Sequence, residues 1–205
     1  MPVDFKLYLI TDRKNTKLPL PEAVRVALQG GVRAIQLREK DLPVRELLEL
    51  ARKLRELTLD FGAKLFINDR VDVAIAVDAD GVHLGHQSMP PEPVRRILGK
   101  GKLIGVSTHN IVEAKEAEAG GADFITFGPV FFTPSKANFG AAVGLEYLKS
   151  AKNRINIPIF GLGGIKSGNL REVFRFGADG VSLISAIFGA QDIRKAAEAI
   201  VGETG

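Results

Sequence analysis

The sequence lacks cysteine, contains no tryptophan and only two tyrosines, and has no long apolar run. Without cysteine the chain can form no disulfide, thiolate nucleophile or zinc–thiolate site. Its apolar runs fall short of the ~20 residues that a transmembrane helix requires, and its first residues lack the basic region and cleavage site of a signal peptide. We therefore expect a cytoplasmic protein without a membrane partner.

The excess of basic over acidic residues is small, with a net charge of +4 and a pI near 9.4. A basic pI first suggests a nucleic-acid partner. The lysines and arginines are interspersed with glutamates, however, as in residues 52–56, and aromatic side chains on which bases could stack are scarce. The composition therefore favours a small anionic substrate and argues against nucleic acid.

Short apolar runs alternate with amphipathic stretches along all 205 residues, without a linker or low-complexity segment. The predicted strands are 6–10, 34–37, 64–67, 82–84, 103–106, 124–127, 157–160 and 181–184, each followed by a predicted helix. Eight such units predict an α/β protein with one (β/α)8 TIM barrel domain over residues 1–205. An open, doubly wound sheet is the alternative, but no G-x-G-x-x-G motif follows the first strand.

Three long polar side chains lie at or just beyond the end of the second predicted strand, namely Gln36, Arg38 and Lys40. Alternate residues of an extended chain share a face, so all three point into the mouth of the barrel. Burying them there is unfavourable unless an anion neutralises them. The sequence therefore predicts an anion site at this end of the barrel, where (β/α)8 enzymes carry their chemistry.

The segment 127–145 follows the sixth predicted strand and has neither a helical nor a strand period. Thr133, Ser135 and Lys136 supply two hydroxyls and an ammonium within four residues. This composition is typical of a loop that closes over an anion, with an ordinary solvated loop as the alternative. On the first interpretation Lys136 adds to the positive charge of Arg38 and Lys40.

A second anion site is predicted where the seventh and eighth strands end. Gly163-Gly164 and Ser185 lie there, and backbone amides at this position of the barrel often bind phosphate. The alternative for the two glycines is a tight turn that needs positive φ and binds no ligand. Two separate anion sites indicate two phosphorylated substrates, or one substrate with a phosphate at each end.

Asp69 is the candidate metal ligand, because it places a carboxylate directly after the third predicted strand. Mg²⁺ prefers carboxylate oxygens together with phosphate oxygens and water. The alternative is that Asp69 caps the helix that follows it. The three histidines lack the spacing of a zinc site, and we assign none of them to a metal.

Seven motifs, in order along the whole chain, resemble those of the thiamine phosphate synthase (thiamine-phosphate pyrophosphorylase) family. They are Q-L-R-E-K at 36–40, I-N-D-R at 67–70, G-V-H-L-G at 81–85, G-V-S-T-H at 105–109, G-P-V-F-F-T-P-S-K at 128–136, G-L-G-G-I at 161–165 and V-S-L-I-S-A at 181–186. The resemblance implies a (β/α)8 transferase that joins hydroxymethylpyrimidine diphosphate to thiazole phosphate and releases pyrophosphate with the help of Mg²⁺.

The resemblance also implies a role for each matching residue. The pyrimidine diphosphate would be held by Gln36, Arg38, Lys40, Asn68, Ser107 and Lys136. The thiazole phosphate would be held by Thr133, Ser135, Gly164, Ile184 and Ser185. Leu37, Glu39 and Pro134, which lie between these residues, are expected to line the same substrate sites, and Arg38, Lys40 and Lys136 are the expected catalytic residues. Asp69 would bind Mg²⁺.

The chain departs from the family pattern at Ser88, where relatives have an aspartate that serves as a second magnesium ligand. A hydroxyl is a poorer ligand and carries no charge, so we expect weaker metal binding. A sister group of thiazole tautomerases, which are isomerases, uses a histidine where this chain has Pro129. Because Arg38, Lys40 and Lys136 are all present, we predict the synthase. The tautomerase, a non-catalytic phosphate-binding barrel and a sugar-phosphate epimerase remain alternatives.

Overall fold

The structure, a computed structural model, describes residues 2–133 and 142–204. Eight strands form a closed barrel in which each strand is parallel to the next, in the order of the chain. The barrel closes where β1 (Leu7–Ile10) pairs with β8 (Gly180–Leu183), with Leu9 beside Leu183. The predicted (β/α)8 barrel is therefore confirmed, and the open doubly wound sheet is excluded.

Helices separate the strands around the whole barrel. The remaining strands are β2 (Ala34–Leu37), β3 (Lys64–Asn68), β4 (Gly81–Leu84), β5 (Leu103–Thr108), β6 (Phe124–Phe127) and β7 (Ile159–Leu162). The helices of the described residues are α1 (Leu20–Gln29), α2 (Val44–Asp60), α3 (Val71–Ala76), α4 (Pro91–Leu98), α5 (Ile111–Ala119), α6 (Leu145–Lys152), α7 (Ser167–Arg175), α8 (Ser185–Phe188) and α9 (Ile193–Thr204). None of these helices is both long enough and apolar enough to cross a membrane.

The core has two parts, because each strand is buried on both faces. The larger part fills the space between the outer face of the strands and the helices. The smaller part fills the barrel itself and consists of Phe5, Tyr8, Ile10, Ala34, Phe66, Leu103, Phe124 and Phe160. Phe5 precedes the first strand, and its ring lies 5.3–5.7 Å from four other aromatic rings. The end of the barrel at which the strands begin is therefore filled with packed aromatic rings and forms no channel.

Gly105 in β5 leaves space for the rings inside the barrel. A Cβ atom at Gly105 would lie 2.4 Å from the ring of Phe124 and 2.7 Å from Nδ1 of His83. We expect Gly105→Ala to destabilise the fold by about 1–3 kcal/mol, because overpacking displaces buried rings that have no space to move. Urea denaturation measures this change in the free energy of unfolding.

Gly202→Ala is the matched control, because Gly202 lies in α9 and a Cβ atom there would meet nothing within 4 Å. That substitution should leave stability unchanged or raise it by up to about 1 kcal/mol, as expected for glycine in a helix. Equal destabilisation by both substitutions would contradict the packing of the barrel interior described above.

Candidate active site

The carboxyl ends of the eight parallel strands meet at one rim of the barrel. Predicted site residues on this rim are Arg38 and Lys40 after β2, Asp69 after β3, Ser88 after β4, Gly164 after β7, and Ile184 and Ser185 after β8. Gln36, Asn68 and Ser107 lie within the final residues of β2, β3 and β5. The fold therefore brings the described members of the predicted site to the same end, while their contacts with substrates remain predictions.

The alternation predicted along β2 sets the depth of each polar side chain. Gln36 is only 1% exposed and lies inside the barrel, Arg38 is half-buried, and the side chain of Lys40 is 57% exposed. Leu37 packs outside the barrel in the core shared with the helices. A cleft of about 260 Å³ at the rim is lined by Arg38 and Lys40 together with residues 12–14, 39 and 41, which include three carboxylates.

Glu39 faces away from its two basic neighbours and joins the first two loops of the rim. Its carboxylate accepts hydrogen bonds from the backbone N–H of Arg13 at 3.1 Å and from Nη1 of Arg13 at 2.9 Å. Asp41 accepts from both Nη1 and Nη2 of the same guanidinium, and these bonds hold the pKa of Asp41 well below its usual range. In this arrangement Glu39 and Leu37 can offer a substrate only backbone atoms.

Asp69 has a left-handed backbone with φ 61°, which few residues other than glycine adopt. Its carboxylate accepts a hydrogen bond from Nδ2 of Asn68 at 2.8 Å and one from the hydroxyl of Ser88, and Nζ of Lys40 lies 3.9 Å away. The alternative that Asp69 caps α3 does not hold, because the residue at the cap is Arg70 and no side chain caps that end. Unusual backbone geometry of this kind is typical of functional sites.

Ser88 occupies the position next to the Asp69 carboxylate. Its hydroxyl oxygen accepts a hydrogen bond from the backbone N–H of Gly85 at 2.6 Å, so its own proton is directed to Asp69. The backbone N–H of Ser88 donates in turn to the carbonyl of Gly85 at 3.0 Å. The structure therefore places Ser88 beside the candidate metal ligand, and a role for Ser88 in metal binding stays a prediction.

His83 was not among the predicted site residues, yet its imidazole lies directly beneath the rim and is 2% exposed. Its Nε2 lies 2.9 Å from the hydroxyl of Ser107, and its Nδ1 lies 3.4 Å from the hydroxyl of Tyr8. Burial lowers the pKa of His83 to about 3; the carboxylate of Asp69 opposes this shift, and the guanidinium of Arg38 adds to it. The geometry agrees, because Arg38 and Lys40 line the same cleft of the rim and Nζ of Lys40 lies 3.9 Å from the Asp69 carboxylate.

The glycine pair after β7 serves the packing of the rim independently of any ligand. Gly163 has φ 97° and Gly164 has φ 65°. A Cβ atom at Gly163 would lie 2.5 Å from Cβ of Pro129, and one at Gly164 would lie 2.7 Å from Cβ of Phe131. The tight-turn interpretation is therefore sufficient to explain both glycines, and their role in phosphate binding remains a prediction.

The segment after β6 is described on both sides of residues 134–141. The backbone N–H of Val143 donates to the carbonyl of Pro129 at 2.8 Å, and that of Gly144 donates to Val130 at 3.1 Å. The two ends of the segment are thus joined beside the rim, where Thr133 is half-buried. Pro134, Ser135 and Lys136, which the sequence assigned to substrate binding, lie outside the described residues.

A closed barrel that gathers two basic side chains, a carboxylate and backbone turns at its carboxyl rim is the arrangement typical of (β/α)8 enzymes. Comparison with known proteins specifies the enzyme. A family model described as thiamine monophosphate synthase matches residues 7–187. The chain therefore belongs to the thiamine monophosphate synthase family, and its activity is that of a thiamine-phosphate synthase, a transferase of thiamine biosynthesis.

Individual relatives agree with this family over nearly the whole chain. A thiamine-phosphate synthase of Moorella thermoacetica is 49% identical over 189 residues, which cover 92% of this chain and 90% of that protein. One from Desulfitobacterium hafniense is 46% identical and covers 98% of both chains. The solved structure of a thiamine phosphate pyrophosphorylase from Pyrococcus furiosus superimposes with a TM-score of 0.90 at 45% identity, covering 97% of this chain and 95% of that one.

Proposed function

We propose that the enzyme condenses hydroxymethylpyrimidine diphosphate with thiazole phosphate by a dissociative route. The observation that carries this proposal is that Arg38 and Lys40 line the same cleft at the rim, and that Nζ of Lys40 lies 3.9 Å from the Asp69 carboxylate. Such a group of charges suits a leaving group that gains negative charge as it departs. Both substrates carry charged phosphates and would not cross a lipid bilayer. We therefore also propose that the enzyme acts in the cytoplasm.

In the proposed reaction, the bond between the pyrimidine methylene carbon and the diphosphate oxygen breaks first. The bonding electron pair leaves with pyrophosphate, and the electron-rich pyrimidine ring stabilises the resulting cation. The lone pair of the thiazole nitrogen then forms the new carbon–nitrogen bond, and the positive charge passes to the thiazolium ring. This route needs no protein nucleophile, so the enzyme contributes positioning and charge stabilisation.

The diphosphate would lie over Arg38 and Lys40, with Lys136 from the loop after β6 as the third cation. Arg38 is half-buried, so its guanidinium acts in surroundings where charges interact more strongly than in bulk water. The pyrimidine would lie deeper, against Gln36 on the inner wall, with the hydroxyl of Ser107 directed to the diphosphate. Asn68 would then sit between the two regions, beside Asp69.

The thiazole phosphate would occupy the opposite part of the rim, after β7 and β8. Backbone amides of Gly164, Ile184 and Ser185 would bind its phosphate, together with the hydroxyls of Thr133 and Ser135. Ser185 is exposed and Gly164 is half-buried at this part of the rim. Two phosphorylated substrates on opposite parts of one rim would approach each other over the barrel axis.

The residues present fit Mg²⁺ that arrives with the diphosphate, but not a metal cage made by the protein alone. Within the described ranges, no group of three or more histidine, cysteine, aspartate and glutamate side chains could hold a metal ion. Asp69 and the hydroxyl oxygen of Ser88 supply one charged and one neutral ligand, and Mg²⁺ is commonly held by one or two carboxylates, phosphates and water. When bound, the metal would neutralise charge on the departing pyrophosphate.

Ser88→Asp should lower the Mg²⁺ concentration that gives half of the maximal rate by about tenfold, because it places a second carboxylate beside Asp69. The measurement is a Mg²⁺ titration of the rate at saturating substrates. Gln87→Asp is the matched control, since Gln87 is an exposed neighbour and the substitution adds the same charge. If both variants keep the wild-type Mg²⁺ requirement, Ser88 does not face the metal.

The function is tested by incubating the enzyme with both precursors and Mg²⁺ and identifying the product by mass spectrometry. We expect thiamine phosphate to accumulate with the phosphorylated thiazole, and to form far more slowly from the thiazole alcohol, which lacks the group that the β7 and β8 turns would bind. Conversion of the thiazole phosphate to an isomer, with no thiamine phosphate, would contradict the proposal.

A further inference from the structure

A chain of hydrogen bonds crosses the barrel interior beneath the rim and links two predicted substrate contacts. Nε2 of Gln36 donates to the hydroxyl of Tyr8 at 3.2 Å. The Tyr8 hydroxyl lies 3.4 Å from Nδ1 of His83, and Nε2 of His83 lies 2.9 Å from the hydroxyl oxygen of Ser107. The hydroxyl of Thr126 also donates to Ser107, at 3.4 Å. Neither Tyr8 nor His83 has a role in the mechanism proposed above.

In the structure, the amide of Gln36 points its Nε2 toward Tyr8, and this orientation sets one direction for the whole chain. Because the side-chain N–H of Gln36 can only donate, the Tyr8 oxygen accepts, and the Tyr8 proton needs an acceptor of its own. Tyr8 is completely buried, and an unpaired buried hydroxyl would be costly. Nδ1 of His83 is the acceptor within reach among the described residues. The imidazole proton therefore lies on Nε2 and is donated to Ser107.

We propose that Tyr8 and His83 are positioning residues that fix this direction, so that Gln36 presents its carbonyl oxygen and Ser107 its hydroxyl proton to the pyrimidine diphosphate. The inference rests on the proposed function for the identity of that ligand. It explains why a tyrosine and a histidine interrupt the aromatic and aliphatic lining of the barrel. It also explains why Gly105, beside Nδ1 of His83, carries no side chain.

The two ends of the directed hydrogen-bond chain present different groups to a ligand. The Gln36 carbonyl accepts a hydrogen bond, which suits an amino group on the pyrimidine ring. Ser107 already accepts from His83 and Thr126, so its own proton is the one that remains to be donated, which suits a diphosphate oxygen. Reversal of the chain would present each end with the wrong partner. The direction therefore contributes to selectivity as well as to affinity.

The direction is tested on the ligand-free wild-type enzyme by long-range ¹H–¹⁵N correlation NMR of its histidines. The chain has three histidines, so His86→Gln and His109→Gln assign the signals of His83 by elimination. We expect neutral His83 with its proton on Nε2. A proton on Nδ1, or a doubly protonated ring near neutral pH, would overturn the inference whether or not the proposed substrates are correct.

The positioning role is tested with Tyr8→Phe, which keeps the ring in the core and removes only the hydroxyl that orients Gln36. We expect the KM for the pyrimidine diphosphate to rise about tenfold, the cost of one hydrogen bond, while the KM for the thiazole phosphate stays within about twofold. A loss of stability alone would not raise the KM for one substrate and leave the KM for the other unchanged. Tyr147→Phe is the matched control, because Tyr147 is the only other tyrosine and its hydroxyl accepts from the backbone of Ile111 outside the barrel.

The possible failures can be told apart by calorimetric binding of each substrate to wild type and Tyr8→Phe. If the wild type binds neither substrate, the proposed function fails, and the NMR experiment still decides the direction of the chain. If the wild type binds the pyrimidine diphosphate and Tyr8→Phe binds it equally well, the function stands and the positioning role is refuted.

Discussion

Replacing Asp69 with asparagine lowers kcat by at least about a hundredfold, a loss of roughly 2.7 kcal/mol in transition-state stabilisation. Asparagine tolerates the left-handed backbone that Asp69 adopts, so the substitution removes the charge without straining the turn. The lost carboxylate is the candidate ligand of the metal and the partner of Lys40. The measurement is kcat at saturating substrates and Mg²⁺, with the free energy of unfolding as a check that the fold is retained.

Asp72→Asn is the control for this substitution. Asp72 lies three residues further along, in α3, is exposed, and pairs with Arg70 rather than with a residue of the mouth. It should retain nearly all of the wild-type rate, since exposed ion pairs contribute little. A rate for Asp69→Asn within about threefold of wild type would show that Asp69 does not hold a metal that the reaction needs.

Arg38→Gln should lower kcat/KM for the pyrimidine diphosphate by about a hundredfold. Arg38 is half-buried and lines the cleft at the rim, and charged hydrogen bonds in such a place contribute about 1.5–3 kcal/mol. Arg38→Lys keeps the charge but loses the planar fork that binds a phosphate through two N–H groups, so its loss should be intermediate. Steady-state kinetics with each substrate varied in turn measure the effect.

Arg45→Gln removes the same charge from an exposed position early in α2 and should leave kcat/KM unchanged. The KM for the thiazole phosphate should stay nearly constant in Arg38→Gln, because the second substrate would bind at the other part of the rim. A loss of kcat/KM for the thiazole phosphate alone would indicate that this substrate binds beside Arg38. That result would contradict the assignment of the diphosphate to the end of β2.

The barrel could be predicted because its signal recurs eight times, but individual boundaries depend on contacts that a local pattern does not contain. β7 was predicted at 157–160 and runs from Ile159 to Leu162, because the backbone N–H of Asn156 and that of Ile157 donate to the Glu118 carboxylate rather than to a strand. α7 begins at Ser167, three residues before Leu170, its first buried apolar residue, so the hydrophobic period of the sequence does not reveal its polar first turn.

The candidate site was predictable where alternation along a strand was applied, and was missed where it was not. Alternation predicted that Gln36, Arg38 and Lys40 share the inner face. In the structure, their exposure increases from Gln36 inside the barrel to Lys40 at the rim. The same rule applied to β1 and β4 would have placed Tyr8 and His83 inside the barrel. Zinc spacing does not reveal the contact between them, because a hydrogen-bonded pair 75 residues apart leaves no mark in the local sequence.

The central claim is that one rim holds two anion sites and joins the molecules bound there. Its most direct test is to measure pyrophosphate release from hydroxymethylpyrimidine diphosphate with Mg²⁺, in the presence and absence of thiazole phosphate. We predict that pyrophosphate appears one-for-one with thiamine phosphate and only when both substrates are present. No release from the complete mixture, or the same release without the thiazole phosphate, would contradict the claim.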